Sequence, residues 1–508
     1  MQARCVLLDV DHRHVDAHGW AELAQAAHER GARLLTLWGR DGVPGQANGT
    51  TLYACWLDAG GLLLAQLDLA PGVTHYPGLH PAFPVAERLQ RALRDLLGVQ
   101  ALGMDARPWL RHAAWPASVH PLRRGAVLPQ APCGQAEAEH YAFVVVDGDG
   151  VHEVPVGPVH AGVIEPGQFR FSVIGEKVLR LEERLGFTHK GVEKRFEGMT
   201  LRDGLRLAAR LSGDSTVANA WAYCMACETL AGVQPTPRAL HLRALLLERE
   251  RLANHLGDIG AIANDGGFGF ALSQFSRLKE DLLRLNAAVF GARYPMDALQ
   301  PGGVAIDVNA DACARLHGQG VQLRGEVLRL KGILDHHEGL QDRFKTTGRV
   351  TPDTAARLGL IGLAGRASGQ ALDLRDRSGF APYDQLGVEV AQSRDGDVGA
   401  RVAVRFAEVF TSLRLCDSLL SSLPIGAVSA DWPQTVPAGL ALGLVEGWRG
   451  PQCIALEAGA DGRIVRCHPH DPSWQNWPAL EWAVIGDIVP DFPLINKSFN
   501  LSYSGHDL

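Results

Sequence analysis

Apolar residues near the start of the chain come in short, nearly unbroken runs. Two of them are Ala32-Arg33-Leu34-Leu35-Thr36-Leu37-Trp38 and Gly61-Leu62-Leu63-Leu64-Ala65-Gln66-Leu67, with stretches of helical period at 20–29 and 86–97. Runs this short, set between helical stretches, predict buried strands in a small α/β domain over residues 1–130. The segment Leu128-Pro129-Gln130-Ala131-Pro132-Cys133-Gly134-Gln135 carries the prolines and glycine of a link and puts the boundary near residue 130. Over 131–508 the pattern changes. A β-rich stretch at 141–173 gives way to helical periodicity at 176–185, 202–231, 273–290, 311–338, 352–371 and 399–421. Thr236-Pro237 predicts an N-cap and first turn, Leu240, Leu247, Leu252, Leu256 and Ile259 recur at helical spacing behind it, and Asn264-Asp265-Gly266-Gly267 stops the run. The last hundred residues return to short strands and proline-rich turns. The expected fold class is α+β: a small N-terminal α/β domain, then a mainly helical domain with β-rich segments at both its ends.

Composition narrows the function. With 508 residues, 46% hydrophobic and 21% charged, the chain is expected to fold throughout as an ordinary soluble globular protein of two or three domains. A formal charge of -7 provides no basic field for nucleic acid. No apolar run approaches the roughly 20 residues that span a bilayer, and the first residues lack a signal-peptide core. Nine scattered cysteines do not read as a disulfide framework, which points to a reducing compartment.

Candidate ligand clusters are few. Cys224-Met225-Ala226-Cys227 is a lone Cys-x-x-Cys in an apolar helical run, and it reads as two buried, inert thiols. Cys467-His468-Pro469-His470, followed by Asp471-Pro472, reads as a surface turn rather than a metal site. In Asp335-His336-His337-Glu338 only the outer pair shares a helix face, so a solvated helix end is expected. Gly267-Phe268-Gly269-Phe270 lacks the third glycine of a dinucleotide fingerprint and follows a helix rather than a strand.

Longer motifs carry a resemblance. Gly157-Pro158-Val159-His160-Ala161-Gly162, Gly186-Phe187-Thr188-His189-Lys190-Gly191-Val192-Glu193-Lys194, Leu247-Glu248-Arg249-Glu250-Arg251-Leu252-Ala253-Asn254-His255 and Gly396-Asp397-Val398-Gly399-Ala400-Arg401 are similar to signatures of the large subunits shared by complex I and membrane-bound nickel–iron hydrogenases. Tyr76-Pro77-Gly78-Leu79-His80-Pro81 and His120-Pro121-Leu122-Arg123-Arg124 resemble the small peripheral-arm subunit of complex I. A fusion of the two resembles the formate hydrogenlyase type of large subunit. The resemblance implies four metal-binding cysteines in the frames Arg-x-Cys-Gly-x-Cys and Asp-Pro-Cys-x-x-Cys. Here those four positions are Ser212, Ser215, Ser502 and Gly505. A hydroxyl is neutral and hard, and glycine offers no side chain, so the site as written does not hold nickel and iron.

The resemblance also implies roles for individual residues. His160 matches a histidine that lines the quinone headgroup cavity, although Gly213 stands where complex I has a tyrosine sharing that task. Its bland alternative is a histidine that ties its own hairpin. His189 is expected to line the cavity. Glu193 matches a proton-passing glutamate whose pKa a dry cavity could raise, the alternative being a pair with Lys190 or a nearby arginine. Asp214, between the two serines, adds a carboxylate to the vacated cavity. Arg366, Asp373, Arg375 and Asp376 are expected to form structural ion pairs. The implied assembly is a membrane-associated oxidoreductase on the cytoplasmic side of the inner membrane. Its partners are a small iron–sulfur subunit with a cluster beside the cavity, a ferredoxin-like subunit and antiporter-like membrane-arm subunits. This chain is expected to hold no cofactor firmly itself, with quinone a candidate ligand, and either to pass electrons to quinone or another acceptor or to couple redox changes of the cluster to proton movement. The alternatives are a catalytically silent scaffold and, less favoured, an active hydrogenase.

Overall fold

The computed structural model describes residues 2–43, 46–58, 60–112, 114–127, 141–376 and 380–508. The link at 128–135 and the boundary expected near residue 130 lie outside the described residues.

Near the N-terminus, strands Val10–Val15, Gly61–Leu69, Gln46–Asp58 and Arg33–Val43 lie side by side in that order. The first pair is parallel and the others antiparallel. Adjacent residues of the long strands face two different cores: Leu35, Trp38, Tyr53 and Cys55 join one, while Leu34, Leu37, Leu52 and Trp56 join the other. A sheet covered on both faces has no polar face, which is why these strands read as continuous apolar runs.

A second sheet joins the chain's two ends. Strand Ala3–Cys5 pairs in parallel with Gly439–Glu446, which continues through Pro451–Ala458 to Ile464–His470. Helix Thr216–Ala231 packs across this sheet and is buried along nearly its whole length. Gly443 permits that packing, because a Cβ there would strike the Ala222 carbonyl oxygen. Helices Pro237–Asp265, Gly269–Phe290, Ala310–Asp335 and Val398–Ser421 form the bundle beside it. Their caps follow the sequence: Thr236 accepts from Ala239 N at 3.2 Å with Pro237 in the first turn, and Asp397 accepts from Ala400 N at 2.8 Å. The α+β expectation holds.

Several expected helices are corrected. Residues 176–185 form strand Lys177–Arg184, paired antiparallel with Gln168–Ile174. Gly175 at φ 59° makes the hairpin turn, so the pairing across it, rather than the local pattern of long side chains, decides the conformation. The stretch 202–231 is two helices, Leu201–Ala208 and Thr216–Ala231, interrupted at the segment that carries the first site frame. Residues 352–371 likewise divide into Pro352–Leu358 and Gly362–Ala367.

Cys467-His468-Pro469-His470 is no surface turn but part of the buried strand Ile464–His470, with Cys467 at 0% and His470 at 2% exposure. The strand lies at the sheet's edge, where a proline breaks no ladder. The neighbouring sheet covers that edge, so exposure does not follow from the turn-like residues. Asp335, His336 and Glu338 do form an exposed helix end, and His337 caps the next helix by accepting from Leu340 N at 3.0 Å. Cys224 and Cys227 are fully buried, and burial pushes both thiols up.

Candidate active cavity

The two serine frames meet. Residues 212–215 precede helix Thr216–Ala231, and residues 502–505 open the C-terminal helix Tyr503–Asp507. Ser212 Oγ lies 3.2 Å from Ser502 Oγ, and Ser215 N donates to the Ser212 carbonyl at 3.1 Å. Ser502 caps the last helix by accepting from Gly505 N at 2.9 Å, and its own N–H donates to Ser473 Oγ at 2.9 Å. The Ser215 hydroxyl is fully buried with no hydrogen-bond partner. A cavity of about 600 Å³ opens over this junction, walled by residues 162–165, Ser212–Asp214, Arg449, Lys497 and Asn500–Ser504.

Asp214 is fixed in the cavity wall. Arg449 grips its carboxylate through both terminal nitrogens at 3.0 and 2.6 Å, Ser212 Oγ donates to it at 2.5 Å, and Trp448 Nε1 and Asn254 Nδ2 donate to its backbone carbonyl. Burial opposes ionisation, yet Arg449 and Ser212 hold the carboxyl below its ordinary range. Arg449 is fixed in turn, with Nε donating to Asn500 O at 2.6 Å and its guanidinium 3.9 Å from the centre of the Trp448 ring.

The position of Gly505 is crowded. A Cβ there would lie 2.7 Å from Asp471 Oδ2 and 2.8 Å from Ser502 Oγ. Asp471 is 3% exposed and held by Gln452 Nε2 at 2.9 Å and Ser473 N at 2.8 Å. Among the described residues, no group of three or more His, Cys, Asp or Glu side chains is arranged to hold a metal ion.

The other expected residues lie apart from this junction. His160 sits in the loop between strands Val151–Val156 and Gln168–Ile174, where Nε2 bonds the Gly167 carbonyl at 2.7 Å. The cavity wall begins two residues further on, at Gly162. His189 bonds the Asp507 carbonyl at 2.7 Å and, with Glu193 and His468, borders a separate small pocket. Glu193 pairs with Arg466 at 2.8 Å and His468 at 2.6 Å, not with Lys190. Burial opposes its ionisation, but Arg466 and His468 outweigh it and lower its pKa to about 2, opposite to the rise expected of a dry cavity. Arg366, Asp373 and Arg375 form buried ion pairs, whereas Asp376 is exposed.

Sequence reasoning misses Arg449, Asp471 and Arg466. Arg449 lies in the turn Gly447-Trp448-Arg449-Gly450 between two apolar strands, and a cation in so tight a turn is the signal available. Asp471 directly follows the strand Ile464–His470, but beside Pro472 it reads as a turn residue.

The chain is similar to known proteins. Residues 266–438 match the family model of the respiratory-chain NADH dehydrogenase 49 kDa subunit. The chain is 31% identical over 486 residues to formate hydrogenlyase subunit 5 of Escherichia coli (strain K12), covering 94% of this chain and 85% of that protein. It is 31% identical over 353 residues to the carbon monoxide-induced hydrogenase of Rhodospirillum rubrum, covering 69% of this chain and 97% of that protein. With hydrogenase-4 component G of Escherichia coli (strain K12) it shares 29% identity over 456 residues, 89% of this chain and 78% of the other. Fold, converging frames and relatives together define a subunit of a multisubunit oxidoreductase. The chain belongs to the superfamily of complex I and hydrogenase large subunits.

Proposed function

We propose that this chain is a peripheral-arm subunit of a membrane-associated complex related to complex I and hydrogenases, and that it works without a nickel–iron centre. The crowding at Gly505 carries this reading. A fourth thiolate has no room there while Asp471 and Ser502 hold their places, and the three remaining frame residues offer hydroxyls instead of soft anionic sulfur. Arg449 adds a fixed cation, salt-bridged to Asp214, at the same junction.

The retained cavity takes a quinone or another small acceptor, with Asp214 as its polar anchor and His160 behind the 162–165 wall. Glu193, ionised at every working pH, orients His468 rather than releasing a proton itself. Electrons arrive from an iron–sulfur cluster in a neighbouring small subunit, supplied by a ferredoxin-like subunit. No helix among the described residues is long and apolar enough to cross a membrane, so antiporter-like membrane-arm partners provide the attachment.

Elemental analysis of the purified native complex tests the first half: iron from partner clusters is expected without stoichiometric nickel, and stoichiometric nickel overturns the reading. For the second half, a quinone-site ligand should change electron flow through the complex, and Asp214→Asn should weaken that response. A scaffold reading is favoured by one observation, that the polar groups of the cavity largely satisfy one another. No response to any quinone-site ligand decides for it.

A further inference from the structure

Behind the cavity wall lies a second assembly of charge that the acceptor reading does not use. Helix Pro237–Asp265 contributes Glu248, Arg251 and His255, helix Gly362–Ala367 contributes Arg366, and the turn Leu374–Asp376 with the residue before it contributes Asp373 and Arg375. Glu408 comes from helix Val398–Ser421 and Glu446 from strand Gly439–Glu446. None of these eight side chains belongs to a residue more than 4% exposed.

We propose that this cluster is a proton-binding site, holding one exchangeable proton on Glu446. The charges otherwise do not balance. Glu248, Asp373, Glu408 and Glu446 face Arg251, Arg366 and Arg375, so four carboxylates meet three guanidiniums. With a neutral imidazole the fully ionised cluster carries one net negative charge out of contact with water, an arrangement that a bound proton relieves. Nearby charges do not compensate it. Arg405 is paired with Asp258 at 2.8 Å, and Arg401, held by Ser498 and two backbone carbonyls, has Asp397 and Asp487 as its neighbouring anions. Tyr383 and Ser412 donate to Glu248 but bring no charge.

The hydrogen bonds say where the proton goes. Asp373 is held by Arg375 at 3.0 and 2.7 Å, and Glu248 takes Arg375, Tyr383 and Ser412. Glu408 takes Arg366, Arg251 and His255. Glu446 is the least provided for, with Arg366 Nη1 at 2.7 Å on one oxygen and only a 3.2 Å bond from Leu374 N on the other. Burial and the neighbouring Asp373 charge raise its pKa to about 7. His255 holds Glu408 through Nε2 at 2.8 Å, and its buried Nδ1 has no partner, but burial lowers its pKa and disfavours the charged imidazolium, which leaves Glu446 as the seat of the proton.

A short run of contacts connects this site to the cavity. Arg251 holds the carbonyls of Glu446 at 2.6 Å and Gly447 at 3.1 Å. The Trp448 ring stands edge-on to His255, at 6.1 Å, while its indole N–H holds the Asp214 carbonyl, and Arg449 grips the Asp214 carboxylate. The site rests on the proposed function and deepens it by giving coupled proton movement a location, yet its proton is read without turnover, so either idea can fail alone.

Infrared spectroscopy of the purified native complex, in H2O and D2O between pH 5 and 9, tests it. A protonated-carboxyl component that titrates near neutrality is expected in the difference between the natural complex and Glu446→Gln, where Glu250 and Glu183, carboxyls that burial also raises, contribute to both and cancel. Should that variant fail to assemble, Asp373→Asn provides a second arm. Removing one of the other anions abolishes the excess charge, so the band should titrate about one pH unit or more lower although Glu446 is untouched. A difference spectrum between the natural complex and Glu446→Gln with no titrating carboxyl component, or a set of titrating components that Asp373→Asn leaves entirely in place, overturns the proposal.

Discussion

Gly505→Ala probes the crowded fourth position with a single methyl group. The added Cβ would sit 2.7 Å from Asp471 Oδ2 and 2.8 Å from Ser502 Oγ, well inside van der Waals contact. Neither neighbour can retreat freely. If Asp471 moves it loses Gln452 or Ser473, a charge-assisted bond whose removal costs about 1.5–3 kcal/mol. If Ser502 moves it uncaps the C-terminal helix, at about 1 kcal/mol. Alanine's better helix propensity returns at most ~1 kcal/mol, since Gly505 lies inside the helix Tyr503–Asp507 and not at a positive φ. The net expectation is a loss of about 1–2 kcal/mol, read as a lower urea midpoint at unchanged slope. In an Asp471→Ser background the main clash is gone, and the same change should become neutral or slightly stabilising. A neutral or stabilising Gly505→Ala in the otherwise natural chain would refute the claim that this position is filled.

Asp214→Asn leaves Arg449, 5% exposed, without its counterion. Because 35% of the Asp214 side chain faces solvent, the cost falls below that of a fully buried pair, to about 1–2 kcal/mol by urea denaturation at pH 7. The lowered Asp214 pKa makes this stabilisation present above the ordinary carboxylate value and lost as pH falls through the lowered one, so the variant should show a flatter acid limb. Glu193→Gln should cost about 3 kcal/mol at neutral pH, since it strands Arg466. That contribution is present above the unfolded value of ~4.3 and fades as pH falls toward about 2. Glu250 has the opposite sign: burial outweighs the N–H groups of Val217 and Ala218 and raises its pKa to about 8. Its contribution is present below ~4.3 and lost as pH rises toward about 8, so Glu250→Gln should flatten that slope in unfolding midpoints measured across the range.

The parts legible in the sequence are those set by local chemistry. The caps at Thr236 and Asp397 and the apolar runs at 32–38 and 61–67 need only their neighbours to be understood. The pairing of the two serine frames is legible as well, once a family resemblance puts them in one cavity. Strand Lys177–Arg184 and the buried strand through Cys467 and His470 depend on pairing that local periodicity does not report. Glu193 shows the same limit in electrostatics. The pKa of a buried carboxyl in isolation rises, and only Arg466, 273 positions on, with His468 beside it, reverses the sign. Arg449 and Asp214, 235 positions apart, are equally out of reach of a motif.

The manner in which the cavity is filled argues against a metal site that has merely decayed. Losing sulfur ligands alone would leave a buried hollow with unpaired polar groups, each at a cost of about 1–3 kcal/mol. Instead a carboxylate and a guanidinium stand opposed in the wall, Ser212 donates to that carboxylate, Ser502 caps a helix, and Asp471 lies where a Cβ on Gly505 would crowd it. Of the four frame residues only the Ser215 hydroxyl is left buried and unsatisfied. These contacts come from separate stretches of the chain and satisfy one another within the one junction. The cavity that survives beside them, with Lys497 and Asn500 still on its wall, is therefore the feature whose retention needs a function.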